Sequence, residues 1–409
     1  MKIKQVEAFL MSYAMPEPIV LPFYGGERTI LKRDAMLIRV EAENGLKGFA
    51  PGPAHVPARN DINSVIAPLL AGKELAMILD SPPDFAPQTR KNYDAVEFAL
   101  LDLMAKDQGV PLSELLGGRK RDRIKVYGSA GMYMTPEGYA QEAAAIAEMG
   151  FPSYKMRPAL GPDQDLRTVE LMREAMGPDK GIMIDAHAWW RMGDLNYSYE
   201  TVLQLAKGMA AYAPDWLEEP LPPDDHESYR KLTSENILPI ASGEHEQTDD
   251  GFMDLIDTKA VNVVQMDAFC QGGLKSAKKI FQGVQDKGLV FAYHSWGTTL
   301  EVLVAAHLGI CWPANVVEWL EYPCYSHDKK PGIYPFPLAD EILTESMPLE
   351  NGEILVPDRP GIGIDVNESV IEKYPFLPGP WSIFKIDSPP ETIAVTGDHS
   401  IKWIDGKET

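Results

Sequence analysis

Apolar and polar positions change rhythm twice along this chain. The first residues, "MKIKQVEAFLMSYAMP", alternate as a strand does, with every second side chain suited to a core. Residues 35–50, "AMLIRVEAENGLKGFA", hold an alternating strand, then Asn44-Gly45, the strongest short hairpin signal, then a return strand. Over 93–108, "YDAVEFALLDLMAKDQ", the apolar residues fall at helical spacing, Gly109 follows as a stop, and Pro111 opens "PLSELLGG". This stretch predicts an α+β domain over residues 1–123.

From residue 124 short apolar runs alternate with longer amphipathic ones. The short runs are "IKVYGSAG" (124–131), "SYKMRP" (153–158), "GIMIDAH" (181–187), "DWLEEP" (215–220), "LPIASGE" (238–244), "VNVVQMD" (261–267), "LVFAYHS" (289–295) and "NVVEWLE" (315–321). Segments between them, such as "EGYAQEAAAIAEMG", read as helices. Parallel βα units explain this alternation, and eight of them predict a closed α/β barrel over 124–350. A doubly wound sheet is the alternative, but no Gly-rich phosphate loop follows the first strand. Residues 351–409 hold short strand-like pieces, "GEILVP" and "WSIFKI", among many prolines, and this tail is expected to return to the N-terminal domain.

Composition narrows the function. The 409 residues are 45% hydrophobic and 24% charged, which is ordinary for a globular protein. A formal charge of −22 repels nucleic acid and anionic membranes, so neither is an expected partner. An acidic ligand would then need local positive charge, from a metal or from buried Lys and Arg. The three cysteines, Cys270, Cys311 and Cys324, form no metal or redox motif, and a reducing, cytoplasmic setting is the simplest expectation. No run approaches the ~20 apolar residues of a membrane span. A homo-oligomer of the chain is expected.

Ionisable residues gather where the short runs end. Run two ends in Lys155 and Arg157, run three in Asp185 and His187, run four in Glu218 and Glu219, run five in Glu244. Run six ends in Asp267, run seven in His294, and run eight carries Glu318. One such acid is usually solvated or caps a helix. Seven consecutive strands ending this way put like charges on one rim, which a cation would relieve. Asp185, Glu218 and Glu244, on adjacent strands, form an all-oxygen set suited to Mg²⁺ rather than zinc.

This constellation resembles the enolase superfamily and, within it, the mandelate racemase subgroup. Its marks are "AVEFALLDLMAKDQGVPLSELLGG" (95–118), Lys155-Met-Arg157, "IDAH", "LEEPLPP", "SGEHE", "QMDAFCQGGL", "YHSWGT" and Glu318. The resemblance implies a modified TIM barrel, (β/α)7β, under an N-terminal α+β capping domain completed by the C-terminal tail. It implies Mg²⁺ on Asp185, Glu218 and Glu244, with Glu219 turned away, and an Asp267–His294 dyad.

In such a site His294 takes the proton next to a substrate carboxylate, and Lys155 helps hold the charge that develops. Glu318 would hydrogen-bond the substrate carboxylate, unless it is simply in a salt bridge. Two-base racemases resembling this family carry a second lysine where this chain has Arg157, and arginine is a poor base. One base favours dehydration of a sugar acid to a 2-keto-3-deoxy acid, with Arg157 as an electrostatic clamp. "WLEEPLPPDDHESYRKL" and "SGEHEQT" are similar to acid-sugar dehydratases of the rhamnonate type. His187, Trp296 and Tyr24 are candidate substrate contacts. An epimerase or cycloisomerase on the same scaffold, or a non-catalytic sugar-acid binder, would be the other readings.

Overall fold

Each of the eight short runs becomes a parallel strand, and the last pairs with the first. The computed structural model describes residues 1–267, 272–325, 335–387, 390–395 and 401–403. In the α+β domain, β1 (Ile3–Phe23), β2 (Gly26–Ala42) and β3 (Lys47–Pro51) are antiparallel. The barrel strands are β4 (Arg123–Met132), β5 (Ser153–Arg157), β6 (Gly181–Asp185), β7 (Trp216–Glu218), β8 (Ile240–Ser242), β9 (Val263–Met266), β10 (Val290–Tyr293) and β11 (Val317–Pro323). Each pairs with the next in parallel, and Leu320 beside Val126 closes the ring.

Helices fill the connections, and polar side chains set where they start. Thr135, Ser198, Asp225 and Thr248 each accept a hydrogen bond from a backbone N–H three residues on, opening helices Pro136–Glu148, Tyr199–Met209, His226–Ser234 and Asp249–Asp257. Such caps satisfy N–H groups that a helix leaves free in its first turn. Long apolar side chains on these helices pack on the outer face of the strands, while Tyr127, Met183, Trp216, Ala241, Val263 and Ala292 fill the barrel's interior.

In the N-terminal domain the helix Pro87–Gln108 lies across β3, and Gly48 permits the approach: a Cβ there would stand 2.2 Å from the carbonyl oxygen of Ala99. Gly109 ends that helix in the left-handed conformation, φ 68°. The N-terminal strand signal proves longer than its alternation showed. β1 and β2 form a ribbon that continues past a register shift between Ala14 and Ile19 and turns at Tyr24 and Gly25. That far end reaches the barrel mouth: Leu21, Phe23 and Ile30 pack with Met132, Tyr133, Ala159, Ala188 and Met192.

The tail divides, which corrects the expectation that all of it returns to the capping domain. "WSIFKI" becomes β14 (Ser382–Asp387), which pairs with β2, followed by β15 (Pro390–Val395) and β16 (Ile401–Trp403). "GEILVP" instead forms a hairpin of β12 (Leu349–Glu350) and β13 (Glu353–Leu355), and β13 pairs antiparallel with the start of β4, at the base of the barrel. The reason is burial: Ile354 lies opposite Ile124 and is fully buried there. Cys311 and Cys324 are free and buried; Cys270, with part of "QMDAFCQGGL", lies outside the described residues. Among the described residues no helix is long and apolar enough to cross a membrane.

Candidate active site

Parallel register brings the strand-end residues onto one rim. Asp185 on β6 stands beside Glu218 on β7, and Glu244 follows β8. One oxygen from each of these three carboxylates lies within 4.8 Å of the others. All three are buried or nearly so, and burial pushes Glu218 up to about 8, with the nearby Asp185 and Glu244 carboxylates adding to that push against the opposing pull of Lys155. Three acids this close repel one another, and a hard divalent cation among them removes the repulsion. The donor set therefore fits Mg²⁺.

Two cations from β5 flank the acids. Lys155 Nζ lies 2.7 Å from Glu218 Oε1 and 3.7 Å from Asp185 Oδ2. The Arg157 guanidinium places Nε 3.0 Å from Asp185 Oδ2 and donates through Nη1 to Ser129 Oγ at 3.2 Å. The two share a face of β5, as alternation requires, while Tyr154 and Met156 join the apolar layer outside the barrel. Arg157 also lies over the Trp296 ring, with Cζ 4.0 Å from its centroid.

His294 faces the acids from the other side of the rim. Its Nδ1 sits 2.9 and 3.1 Å from the two Asp267 oxygens, and its Nε2 lies 3.0 Å from Glu244 Oε2. Burial pulls this imidazole down, but Asp267, Glu244 and Glu321 together hold its charged form well above the usual histidine range. The Asp267 contact leaves Nε2 as the atom turned into the site. His187 is close by, with Nδ1 2.7 Å from Asp185 Oδ1.

The two glutamates of "LEEP" diverge because the backbone breaks its alternation. Glu218 is the last residue of β7, and its Oε2 accepts from Trp216 Nε1 at 2.9 Å. Glu219 follows in the left-handed region, φ 44°, and its Oε2 stands 2.6 Å from His245 Nδ1. Non-glycine residues seldom adopt this conformation, which costs of order 1–3 kcal/mol and here separates two adjacent carboxylates.

Glu318 is not in the site. It is the second residue of β11, at the base of the barrel, where its Oε1 lies 3.2 Å from Lys125 Nζ. Glu321, about 10 Å farther along the strand at ~3.3 Å per residue, occupies the rim. It is fully buried, with Oε1 3.0 Å from Lys155 Nζ and 3.2 Å from Arg157 Nη2, and Oε2 accepts from the Ser295 N–H at 3.1 Å. Runs two to seven carry their rim residues at or next to their C-terminal ends, and the same rule applied to "NVVEWLE" names Glu321. Tyr24 also falls outside the cluster. It is 38% exposed at the ribbon's turn, resting against Gly161 and Tyr197, because the ribbon leans on the loop after β5. Ser129 and Ser295, which hold Arg157 and Glu321, carry no signal in the sequence, since serine at a strand end is common.

Comparisons with known proteins give the family. Residues 138–370 match the family model described as enolase C-terminal domain-like, and residues 6–117 match the mandelate racemase / muconate lactonizing enzyme N-terminal domain. A D-galactarolactone cycloisomerase from Agrobacterium fabrum is 26% identical over 391 residues, covering 91% of this chain and 99% of that protein. An arabinonate dehydratase from Saccharolobus solfataricus is 30% identical over 287 residues, covering 68% of this chain and 70% of that protein. Among solved structures, a member of the enolase superfamily from Polaromonas sp. JS666 superposes with a TM-score of 0.77 at 27% identity, covering 93% of this chain and 99% of that one. With both domains matched and the barrel rim in place, this chain belongs to the enolase superfamily, in its mandelate racemase and muconate lactonizing enzyme group.

Proposed function

We propose that the protein is a Mg²⁺-dependent dehydratase of sugar acids. The observation that carries this reading is the asymmetry of the rim: a His–Asp dyad on one side, and on the other an arginine held by Asp185 and Glu321. Proton exchange on both faces of a carbon needs two groups that gain and lose protons, and a guanidinium does neither. A single imidazole is sufficient for syn loss of water, because the proton and the hydroxyl then leave from the face it serves.

Asp185, Glu218 and Glu244 would hold the Mg²⁺, which when bound supplies Lewis-acid stabilisation of charge gathering on the substrate's carboxylate oxygens. Lys155 and Arg157 bring fixed positive charge to the same oxygens. A cation among the carboxylates would offset the pull of Glu244 that helps keep the imidazole charged, and neutral His294 Nε2 then takes the proton from the carbon next to the carboxylate, with Asp267 stabilising the imidazolium through Nδ1. That imidazolium then gives the same proton to the departing β-hydroxyl. One C–H and one C–O bond break, water leaves, and His294 returns to its neutral form. The enol left behind tautomerises to a 2-keto-3-deoxy acid. Glu321 orients both cations and the Ser295 N–H, and His187 and Trp296 stand where a hydroxylated chain would pass.

The arabinonate dehydratase relative supports this chemistry, and the cycloisomerase relative, similar across most of this chain, favours the second reading. Cycloisomerisation also begins with proton transfer next to a carboxylate, but the β-oxygen it expels belongs to the substrate's own ring, so the ring opens to an isomeric keto acid and no water is lost. The test is a panel of C5 and C6 aldonic and aldaric acids, and their lactones, in D₂O with Mg²⁺. Keto product trapped by semicarbazide is expected. Keto product isomeric with a lactone of the panel and none from the open-chain acids, or deuterium in recovered substrate without keto product, would replace dehydration with the second reading.

A further inference from the structure

The strand β2 buries a cation well away from the carboxylates. Arg33 is 8% exposed, and among the described residues no carboxylate lies within ion-pair distance of it. Aromatic rings surround it instead. Its Cζ lies 5.6 Å from the ring centroid of Trp296, 5.7 Å from those of Tyr325 and Phe336, and 5.5 Å from that of Trp381. Guanidinium groups are weakly hydrated and pack well on ring faces, so this environment can hold the charge.

Its hydrogen bonds converge on one atom of the site. Arg33 Nη2 donates to the Trp296 carbonyl oxygen at 2.7 Å and to the Tyr325 hydroxyl at 3.0 Å. The Tyr325 hydroxyl donates to the same carbonyl, also at 3.0 Å. Trp296 follows β10 and Tyr325 follows β11, so a residue of the capping domain ties together the loops after the last two barrel strands. The Trp296 indole in turn lies under Arg157, and the carboxylates that hold Arg157 are Asp185 and Glu321.

We propose that Arg33 is a positioning residue for the reaction: by fixing the Trp296 carbonyl it sets where the indole lies, and the indole sets the plane of the Arg157 guanidinium. Arg157 keeps two ion pairs and two hydrogen bonds, to Ser129 Oγ and the Ala130 carbonyl oxygen, all at the edge of its planar group, and the Trp296 ring backs its face. One wall of the site is thus held from outside the barrel. The kinetic part of the test rests on the dehydratase reading, and the spectroscopic part does not.

The experiment compares Arg33→Met, Arg33→Lys, Trp296→Phe and the Arg33→Met/Trp296→Phe double variant. The Trp296 contribution to acrylamide quenching is taken as the difference between chains with and without that indole. In Arg33→Met that contribution should at least double, and kcat should fall about tenfold or more while KM changes less. The double variant should be no slower than Trp296→Phe alone, because Arg33 acts through the indole. Arg33→Lys, which keeps the charge and one donor, should lie between wild type and Arg33→Met. Unchanged quenching in folded Arg33→Met, or a double variant whose loss equals the product of the single losses, overturns the proposal. If Arg33→Met does not fold, Arg33→Lys decides: a partial rise in quenching supports the proposal and no rise overturns it. If no acid of the panel is turned over, the dehydratase reading fails, and quenching alone judges Arg33.

Discussion

The two ends of the barrel carry the same residue types and treat them differently. At the base, Glu318 and Lys125 face each other with side chains 31% and 48% exposed. At the mouth, three residues along the same strand, Glu321 meets Lys155, both fully buried, and Arg157, whose side chain is 4% exposed. Water screens the first pair, and such pairs contribute about 0–1 kcal/mol. At the second, removing one partner leaves a buried charge uncompensated, which costs several kcal/mol. Charge at the base is replaceable, whereas charge at the mouth holds other charges in place.

The largest effect that sharpens this contrast comes from His294. His294→Asn should lower kcat by ~10³-fold or more, since a positioned general base contributes ~10²–10⁴ and here the same group is also the acid. Mg²⁺ affinity measured by calorimetry should stay within severalfold, and near-normal turnover would move the base elsewhere. Glu321→Gln should cost ~10²-fold or more in kcat/KM, on the scale of losing one preorganised electrostatic contact. Glu318→Gln, measured beside it, should be within twofold of wild type and within about 0.5 kcal/mol in stability. If the two variants behave alike, the division between mouth and base is wrong.

A smaller effect separates the barrel's inner and outer walls. Glu142, on the helix Pro136–Glu148, is buried against the Tyr154 hydroxyl on the outer side of β5, with no cation bonded to it among the described residues, and burial pushes it up to about 8. An acid raised in this way is neutral in the folded chain at pH 7. The folded state then binds more protons than the unfolded one between about pH 4.5 and 8, so stability falls as pH rises through that window. Glu142→Gln should flatten that fall by a few kcal/mol at most, read as the change in Tm between pH 5 and 8. An unaltered slope would show that Glu142 is ionised in the folded protein.

The barrel was legible because its rule is local. Eight apolar runs at βα spacing, each followed by an amphipathic segment, leave little choice of architecture, and parallel pairing then puts their last residues on one rim. This rule puts Asp185, Glu218, Glu244, Asp267 and His294 on the rim, where the structure brings them together. Glu318 was misplaced because both glutamates of "NVVEWLE" are acidic, and only their distance from the strand's C-terminal end separates them. What could not be read depends on contacts between distant segments. The left-handed turn at Glu219 carries no composition signal. Arg33 looks like an ordinary exposed arginine until aromatic residues from three later parts of the chain close around it. "GEILVP" gives no sign that its partner is β4 rather than the capping sheet.

The pairing of β14 with β2 has a consequence for how the molecule comes into being. A ribosome makes β14 more than three hundred residues after β2. The barrel can close as soon as its eighth strand emerges, but β2 waits for its β14 neighbour until more than fifty further residues have followed. A truncated or proteolytically trimmed chain would therefore be a finished barrel beneath an incomplete roof.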